Sequence, residues 1–591
     1  MSTHPPLAPE TPSWPHCAHG ADPATDPVGC RGVQVSGHTA CLAHLADADR
    51  DAYLAGLTPG ADTDHRGTTF TEPLLDALLN ALRDPATGHP GLGHARFDSA
   101  VFQGNTEFKS VTFQGFASFE SAIFRGDTWF ESVTFQDIAW FESVTCRGFA
   151  WFESVTFRGD ARFGSVTFQR VASFESVTFQ GDARFGSVTF QGVASFASVA
   201  FQGDARFESA TFQGDVGFEQ AVFERWVNLG PFVCTGRVRL SGAVFNGPAN
   251  LSFVARRLEC RRTRWLSTAE LRLRYATVDL SHAVFEYPLT IAAEPDPFVL
   301  ADGRTVEERA LAHAPDAAVR IATLRGVDAA HLVLADVDLS GCLFTGTVHL
   351  DQLRLEGICA FDTVPPGTHR RRRLPVRFTG RRTLAEEHHW RAKRPDAVRG
   401  WNTAVLGAGH AGPAQLAPVY RALRKAFEDG KNEPGAADFY YGEMEMRRHD
   451  PGTPGAERAL LAAYWAVSGY GLRAVRALGW LAAAMLVTVV LLMGFGLPAE
   501  DPKQEAVGTV PPGGGRVTLT IGKADPQNPT GDRFTGERFE KALNVTLNSV
   551  VFRSSGQDLT TTGTYIEMTS RLVEPTLLAL AVLAVRGRVK R

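Results

Sequence analysis

Large apolar residues return through residues 95–229 at alternating spacings of five and six. One register runs from Phe97 through Phe108, Phe119 and Phe130 to Leu229, and the other from Phe102 through Phe113 and Phe124 to Phe223. Of these 25 positions 23 are Phe, with Cys146 and Leu229 the exceptions, and Ala, Val or Thr stands two residues before every one. A 3.6-residue helical period cannot hold a stripe on one face at such spacings, and the period of two that marks a strand restarts in each unit. The pattern predicts a chain that turns a corner after each unit and stacks coil on coil, the Phe and the small residue both pointing inward.

Asp-Ala-Arg-Phe occurs at 160–163, 182–185 and 204–207, and Val-Ala-Ser-Phe at 171–174 and 193–196, so both recur every 22 residues. Four units of five, six, five and six therefore close one coil. This register resembles the pentapeptide-repeat family, whose units carry a central Leu or Phe with a small residue two before it. The resemblance implies a mainly β fold, a right-handed quadrilateral β-helix built of Phe-type repeats in a bacterial member of the family. The extra residue in alternate units departs from the commonest family pattern and is expected to form a regular corner bulge. Arg162, Arg184 and Arg206 are expected above one another on an outer face, beside Asp160, Asp182 and Asp204. Trp129, Trp140 and Trp151 each precede a core Phe and point outward, either as a partner-binding strip or as packing between coils.

The rest of the chain divides around this block. Residues 51–94 carry Leu74, Leu75, Leu78, Leu79 and Leu82 at helical spacing after Thr71 and Pro73, a helix expected to cap the first coil. The β-helix is expected over 95–291, with a break in register between Leu251 and Leu280, then a charged insertion over 292–320 and further coils over 321–364. Residues 365–475 begin with an Arg-rich linker, whose run Arg370 to Arg373 is expected to meet anionic lipid. His388 and His389 are placed on a solvated helix face, and a helical hairpin is expected around Asn432 to Gly435. The C-terminal helical and transmembrane region, 476–591, opens with 21 uncharged residues from Ala477 to Leu497, long enough to cross a bilayer. A second, shorter run over 569–585 includes Arg571 and Glu574 and is left open as a span. Arg447, Arg448, Arg458, Arg473 and Arg476 precede the first run and the terminus is basic. The expected location is the cell membrane, with the N-terminus and solenoid cytoplasmic and the loop 499–568 outside.

Composition adds limits more than identity. With 591 residues and a formal net charge of −4, the chain is too long for one compact domain and has no global bias toward nucleic acid. Its 8 Cys are scattered and several fall on repeat core positions, so no disulfide framework is expected. A secretory signal is not expected either. Within residues 1–50, Cys17, Cys30, Cys41 and His44 offer the four soft ligands that a structural zinc takes in a segment too small to bury much core. Three thiols beside a surface His are the plainer alternative. No phosphate-cradling loop, nucleophile elbow or zinc-protease motif is found, so neither an enzyme nor a catalytic residue is expected.

Three functions stay open. The favoured one is a membrane-anchored, non-enzymatic interaction scaffold whose partners are the membrane and a protein, with a homo-oligomer left open and no nucleic acid. The second is a pore: residues 538–552 read as an amphipathic helix, followed by Thr560 to Glu567, an order that faintly resembles the two-helix potassium-channel module. Gly563, Thr564 and Tyr565 stand where that family has Gly-Tyr-Gly. The third is the DNA mimicry of pentapeptide-repeat proteins that bind topoisomerase, against which stands the interleaving of Asp160 with Arg162.

Overall fold

The computed structural model describes residues 11–589 apart from 301, 312–315, 372–373, 396, 403–408, 500–502, 510–511, 515, 518, 524 and 529–530. The chain divides into two compact units, Met1–Ala411 and Gly412–Arg591.

In the first unit, strands of two residues pair in parallel with the strand 22 residues further on. Thr134 pairs with Thr156, Ala139 with Ala161, Thr145 with Thr167 and Ala150 with Ala172. These four ladders make a four-sided parallel β-solenoid of about 12 turns. Inward Phe rings stack parallel between coils and edge to face within them. Phe163 lies 4.8 Å from Phe185 at 2° and 5.5 Å from Phe174 at 89°, the two arrangements a ring quadrupole favours.

Two corners absorb the alternation of five and six. In the five-residue units a Ser takes left-handed backbone, from Ser99 (φ 54°) to Ser209 (φ 59°). Several of the six-residue units turn at Gly-Asp, as at Gly181-Asp182 and Gly203-Asp204, where successive coils approach closely. A Cβ on Gly203 would lie 2.3 Å from the Gly181 carbonyl oxygen beneath it. The neighbouring carboxylate is structural too: Asp160 and Asp182 accept from the backbone N–H of Asp182 and Asp204, both at 3.2 Å.

The expected break between Leu251 and Leu280 does not occur. The coil shortens to 20 residues, Val244 pairing with Arg264 and Arg264 with Val284, while Cys260, Trp265 and Leu271 fill the core rungs. Trp265 stacks on Phe245 at 4.0 Å, a wide ring in the place of a Phe. The insertion after Ala293 folds back on the solenoid, where Glu308 pairs with Arg274 at 2.6 Å and Val306 and Leu311 pack on Val233 and Val254.

The ladder also begins earlier than Ala95. Thr63–Asp64 pairs with Ala95–Arg96, and Thr69–Phe70 with Val101–Phe102. After α1 (Asp47–Ala55), α2 (Glu72–Ala81) lies within the first coil, between the strands Thr69–Phe70 and Gly91–Leu92, and buries Leu75, Leu78 and Leu79. At the other end α3 (Ala385–Ala392) corrects the solvated-face expectation for His388. Glu386, Glu387 and His388 are all buried, because this helix closes the solenoid and does not lie on its surface. His389 is half-buried. Within the Arg-rich linker, Thr368–Arg371 and Leu374–Arg377 form an antiparallel hairpin, and Arg372 and Arg373 lie outside the described residues.

The second unit is helical. The expected hairpin is α4 (Pro413–Asp429) and α5 (Glu433–His449), with Asn432 capping α5 through the Gly435 N–H at 3.0 Å. The Tyr420 ring sits against Gly442, where a Cβ would come within 2.3 Å of it. A helix not foreseen, α6 (Gly455–Ser468), carries Trp465, over which Arg448 and Arg476 lie at 4.5 and 5.2 Å. Then come α7 (Ala474–Leu491), a wider turn to Gly496, α8 (Gly536–Val550) and α9 (Thr561–Val589). Two stretches, Ala474–Gly496 and Thr561–Arg586, are long and apolar enough to cross a bilayer. The second starts well before residue 569, the helix continuing back through the hydroxyl-rich segment.

Candidate metal centre and interaction faces

Backbone pairing gathers the four N-terminal ligands. The Cys17 N–H donates to the Gly32 carbonyl at 2.8 Å and the Cys30 N–H to the His19 carbonyl at 3.0 Å, while the His44 N–H bonds back to the Cys41 carbonyl at 2.9 Å. The three Sγ atoms and the His44 ligand nitrogen all lie within 4.8 Å of one another. Cys30 and Cys41 Sγ are 3.7 Å apart, and His44 Nδ1 lies 3.4 Å from Cys41 Sγ and 3.6 Å from Cys17 Sγ. A tetrahedral zinc with Zn–S bonds of about 2.3 Å has S–S edges of about 3.8 Å, so the donor set fits that ion. Four protein ligands would leave no open position for chemistry.

The surroundings suit the thiols. The Gly32 N–H donates to Cys30 Sγ at 3.4 Å, and a Cβ at Gly32 would lie 2.7 Å from Cys41 Cβ, so only Gly fits beside that buried ligand. The His19 ring stacks on His44 at 4.2 Å and holds the exposed ligand ring in place. Hydrogen bonding from Cys41 pulls the Cys30 pKa down to about 5, and the same bond together with burial pushes Cys41 up. All four residues named from spacing are thus brought together. Gly32 carried no signal in the sequence, and His19 stood there only as a His flanking Cys17.

On the solenoid's outer face the expected Arg ladder is present, and two of its three members are paired with Asp. Arg184 pairs with Asp160 at 3.7 Å and Asp182 at 3.3 Å, and Arg206 with Asp204 at 3.5 Å. The ladder is bounded by aromatic rings, Arg162 lying over Trp140 at 5.1 Å and Arg206 over Trp226 at 5.3 Å. A face so balanced lacks the acidic field that DNA mimicry needs. Trp129 stacks on Trp151 at 5.0 Å and Trp140 meets Phe116 edge to face at 5.1 Å, so the outward tryptophans pack between coils.

At the solenoid's C-terminal end, Glu386 Oε1 accepts from the N–H groups of Phe344 at 2.6 Å and Thr345 at 2.9 Å, and from the Thr345 hydroxyl at 3.1 Å. One carboxylate thereby replaces the missing next coil. Burial raises the Glu386 pKa while these donors oppose the rise. Glu387 pairs with Arg391 at 2.6 Å and also with Arg381, so these arginines of the linker serve the cap.

The filter-like stretch is helical, which removes the basis of the pore reading. The Thr564 N–H bonds to the Thr560 carbonyl at 2.9 Å, whereas a selectivity filter needs its carbonyls turned to a shared axis. Gly563 is there for close packing: a Cβ on it would lie 2.3 Å from the Gly496 carbonyl oxygen.

Among known families, residues 97–145, 141–189, 152–199 and 185–230 match the model for pentapeptide repeats (9 copies). No curated protein matches the chain, and no solved structure does.

Proposed function

We propose that the pentapeptide repeats of residues 97–230 are the rigid arm of a non-enzymatic protein-interaction scaffold held at the cytoplasmic face of a membrane. The observation that carries this reading is the solenoid itself. Its interior is filled by stacked Phe rings with no room for a substrate, so its function falls to long, regular outer faces. Anchoring is supported by the two apolar helices, Ala474–Gly496 and Thr561–Arg586. The basic residues before the first helix favour the cytoplasmic side for the solenoid. Two crossings would return the C-terminus to that side. Structural zinc on Cys17, Cys30, Cys41 and His44 would hold the N-terminal segment, where little apolar core is available.

The experiment is fractionation of cells making the full chain. The protein should resist alkaline carbonate extraction, and protease added to spheroplasts should cut within residues 503–560 while sparing the solenoid. Release by carbonate would remove the anchor, and cleavage of the solenoid would reverse the orientation. The same purified chain should hold about one zinc, lost in Cys41→Ser.

A further inference from the structure

Between α7 and α9 one ionisable side chain lies in apolar surroundings. Glu574 is fully buried near the middle of Thr561–Arg586. Its Oε1 is 2.9 Å from Thr488 Oγ1, and its Oε2 has no hydrogen-bond partner among the described residues. Beside it runs a groove of about 420 Å³, walled by Val487, Leu491, Ile566 and Val573, with Thr488 and Glu574 among its polar groups. Two other hydroxyls on the groove are engaged by their own helix, Thr569 donating to the Tyr565 carbonyl and Ser570 to the Glu567 carbonyl, both at 2.9 Å, while Thr562 and Tyr565 line its exposed end. Glu574 Oε2 is thus a buried acceptor left unmet on an otherwise largely apolar wall.

An acid at this depth is expensive to keep and marks a ligand or partner site. The groove has the volume of a small-molecule site. It runs along α9 from Thr562 to Glu574, about 18 Å at 1.5 Å per residue, and so has the shape of an alkyl chain. A bare metal cation would require about six oxygens, more than the groove brings to Glu574. We infer that the groove binds a lipophilic ammonium: an alkyl or aryl body between the apolar walls, with one protonated amine donating to Glu574 Oε2. Thr488 suits such a site, since its single hydroxyl proton has two acceptors in reach, Glu574 Oε1 at 2.9 Å and the Ala484 carbonyl at 3.0 Å. It donates to the carboxylate when the ammonium is bound and to its own helix otherwise. The inference rests on the membrane-spanning reading of α7 and α9, which gives the ligand its route through lipid.

The test uses the full chain in phosphatidylcholine nanodiscs with radiolabelled dodecylamine. Saturable binding of about one molecule per chain is expected, displaced by unlabelled dodecylamine and not by dodecanol. Glu574→Gln keeps an acceptor for Thr488 and should weaken binding by about tenfold or more, the worth of a charge-assisted hydrogen bond. Val573→Trp fills the groove without touching the acid and should abolish binding. Equal displacement by dodecanol, or unchanged binding in Glu574→Gln, overturns the inference. So does conversion of an oligomer to monomers by Glu574→Gln, which would assign the acid to a helix of a second copy. Carbonate extraction run alongside separates the two claims: release means that the membrane reading fails, whereas retention without dodecylamine binding means that the groove alone fails.

Discussion

His65 occupies the rung that precedes Phe97 in the ladder. It is fully buried, 5.6 Å from the Phe70 ring and 6.1 Å from Tyr53, with neither ring nitrogen hydrogen-bonded among the described residues. Burial lowers its pKa from 6.5 to about 4. The unfolded chain takes up this proton near pH 6.5 and the folded chain does not until about pH 4. The His65 contribution is therefore intact above pH 6.5 and is lost as pH falls through that window, by about 3 kcal/mol in all. His65→Phe should flatten this part of the pH dependence and complete the ladder, which urea midpoints at pH 5 and pH 7.5 would read. Equal slopes in variant and parent would mean that other groups set the acid sensitivity. Deeper in the ladder Phe174 is stacked at 4.8 Å on both Phe152 and Phe196. Phe174→Ala should cost about 3 to 5 kcal/mol in urea unfolding. The Phe rungs were legible because each repeats its neighbours, whereas His65 was not, a single polar residue being invisible to a search for apolar periodicity.

Capping decides what an element such as α3 is for. A solenoid leaves N–H groups without a partner at its last coil, and Glu386 takes two of them together with the Thr345 hydroxyl. Glu386→Ala would orphan these buried donors at about 1 to 3 kcal/mol each. Amide exchange at Phe344 and Thr345 should accelerate sharply while that at Phe163 and Phe185 stays as it was. Acceleration spread evenly along the solenoid would count against a local cap. The Glu-Glu-His-His stretch reads as solvated by composition alone, because charge signals exposure until a structure supplies the partners, here Arg381, Arg391 and the final coil. The filter-like stretch of α9 failed for a related reason: its Gly answers to the close approach of Gly496, 67 residues earlier in the chain.

For the whole molecule the scaffold reading makes a simple demand on its anchor. A chain ending at Arg473 should leave the membrane fraction, with its β signal in circular dichroism intact because both ends of the solenoid are closed upstream of that point. Pelleting with membranes as fully as the complete protein does would place the anchor elsewhere. By itself the sequence determined the four-sided coil, its 22-residue period and the inward Phe stacks, and it offered the Cys17, Cys30, Cys41 and His44 grouping as one of two readings. These are signals that repeat along the chain or lie close together within it. Only the tertiary structure decided that the ladder starts at Thr63, that Trp265 carries it through shortened coils, that Glu386 ends it, and that Gly563 meets Gly496 while Glu574 meets Thr488. The coils around Trp265 keep a period, but one of 20 residues that differs from the 22 before it; the others are contacts made once, between residues whose distance along the chain follows no period, so they exist only when the chain is folded.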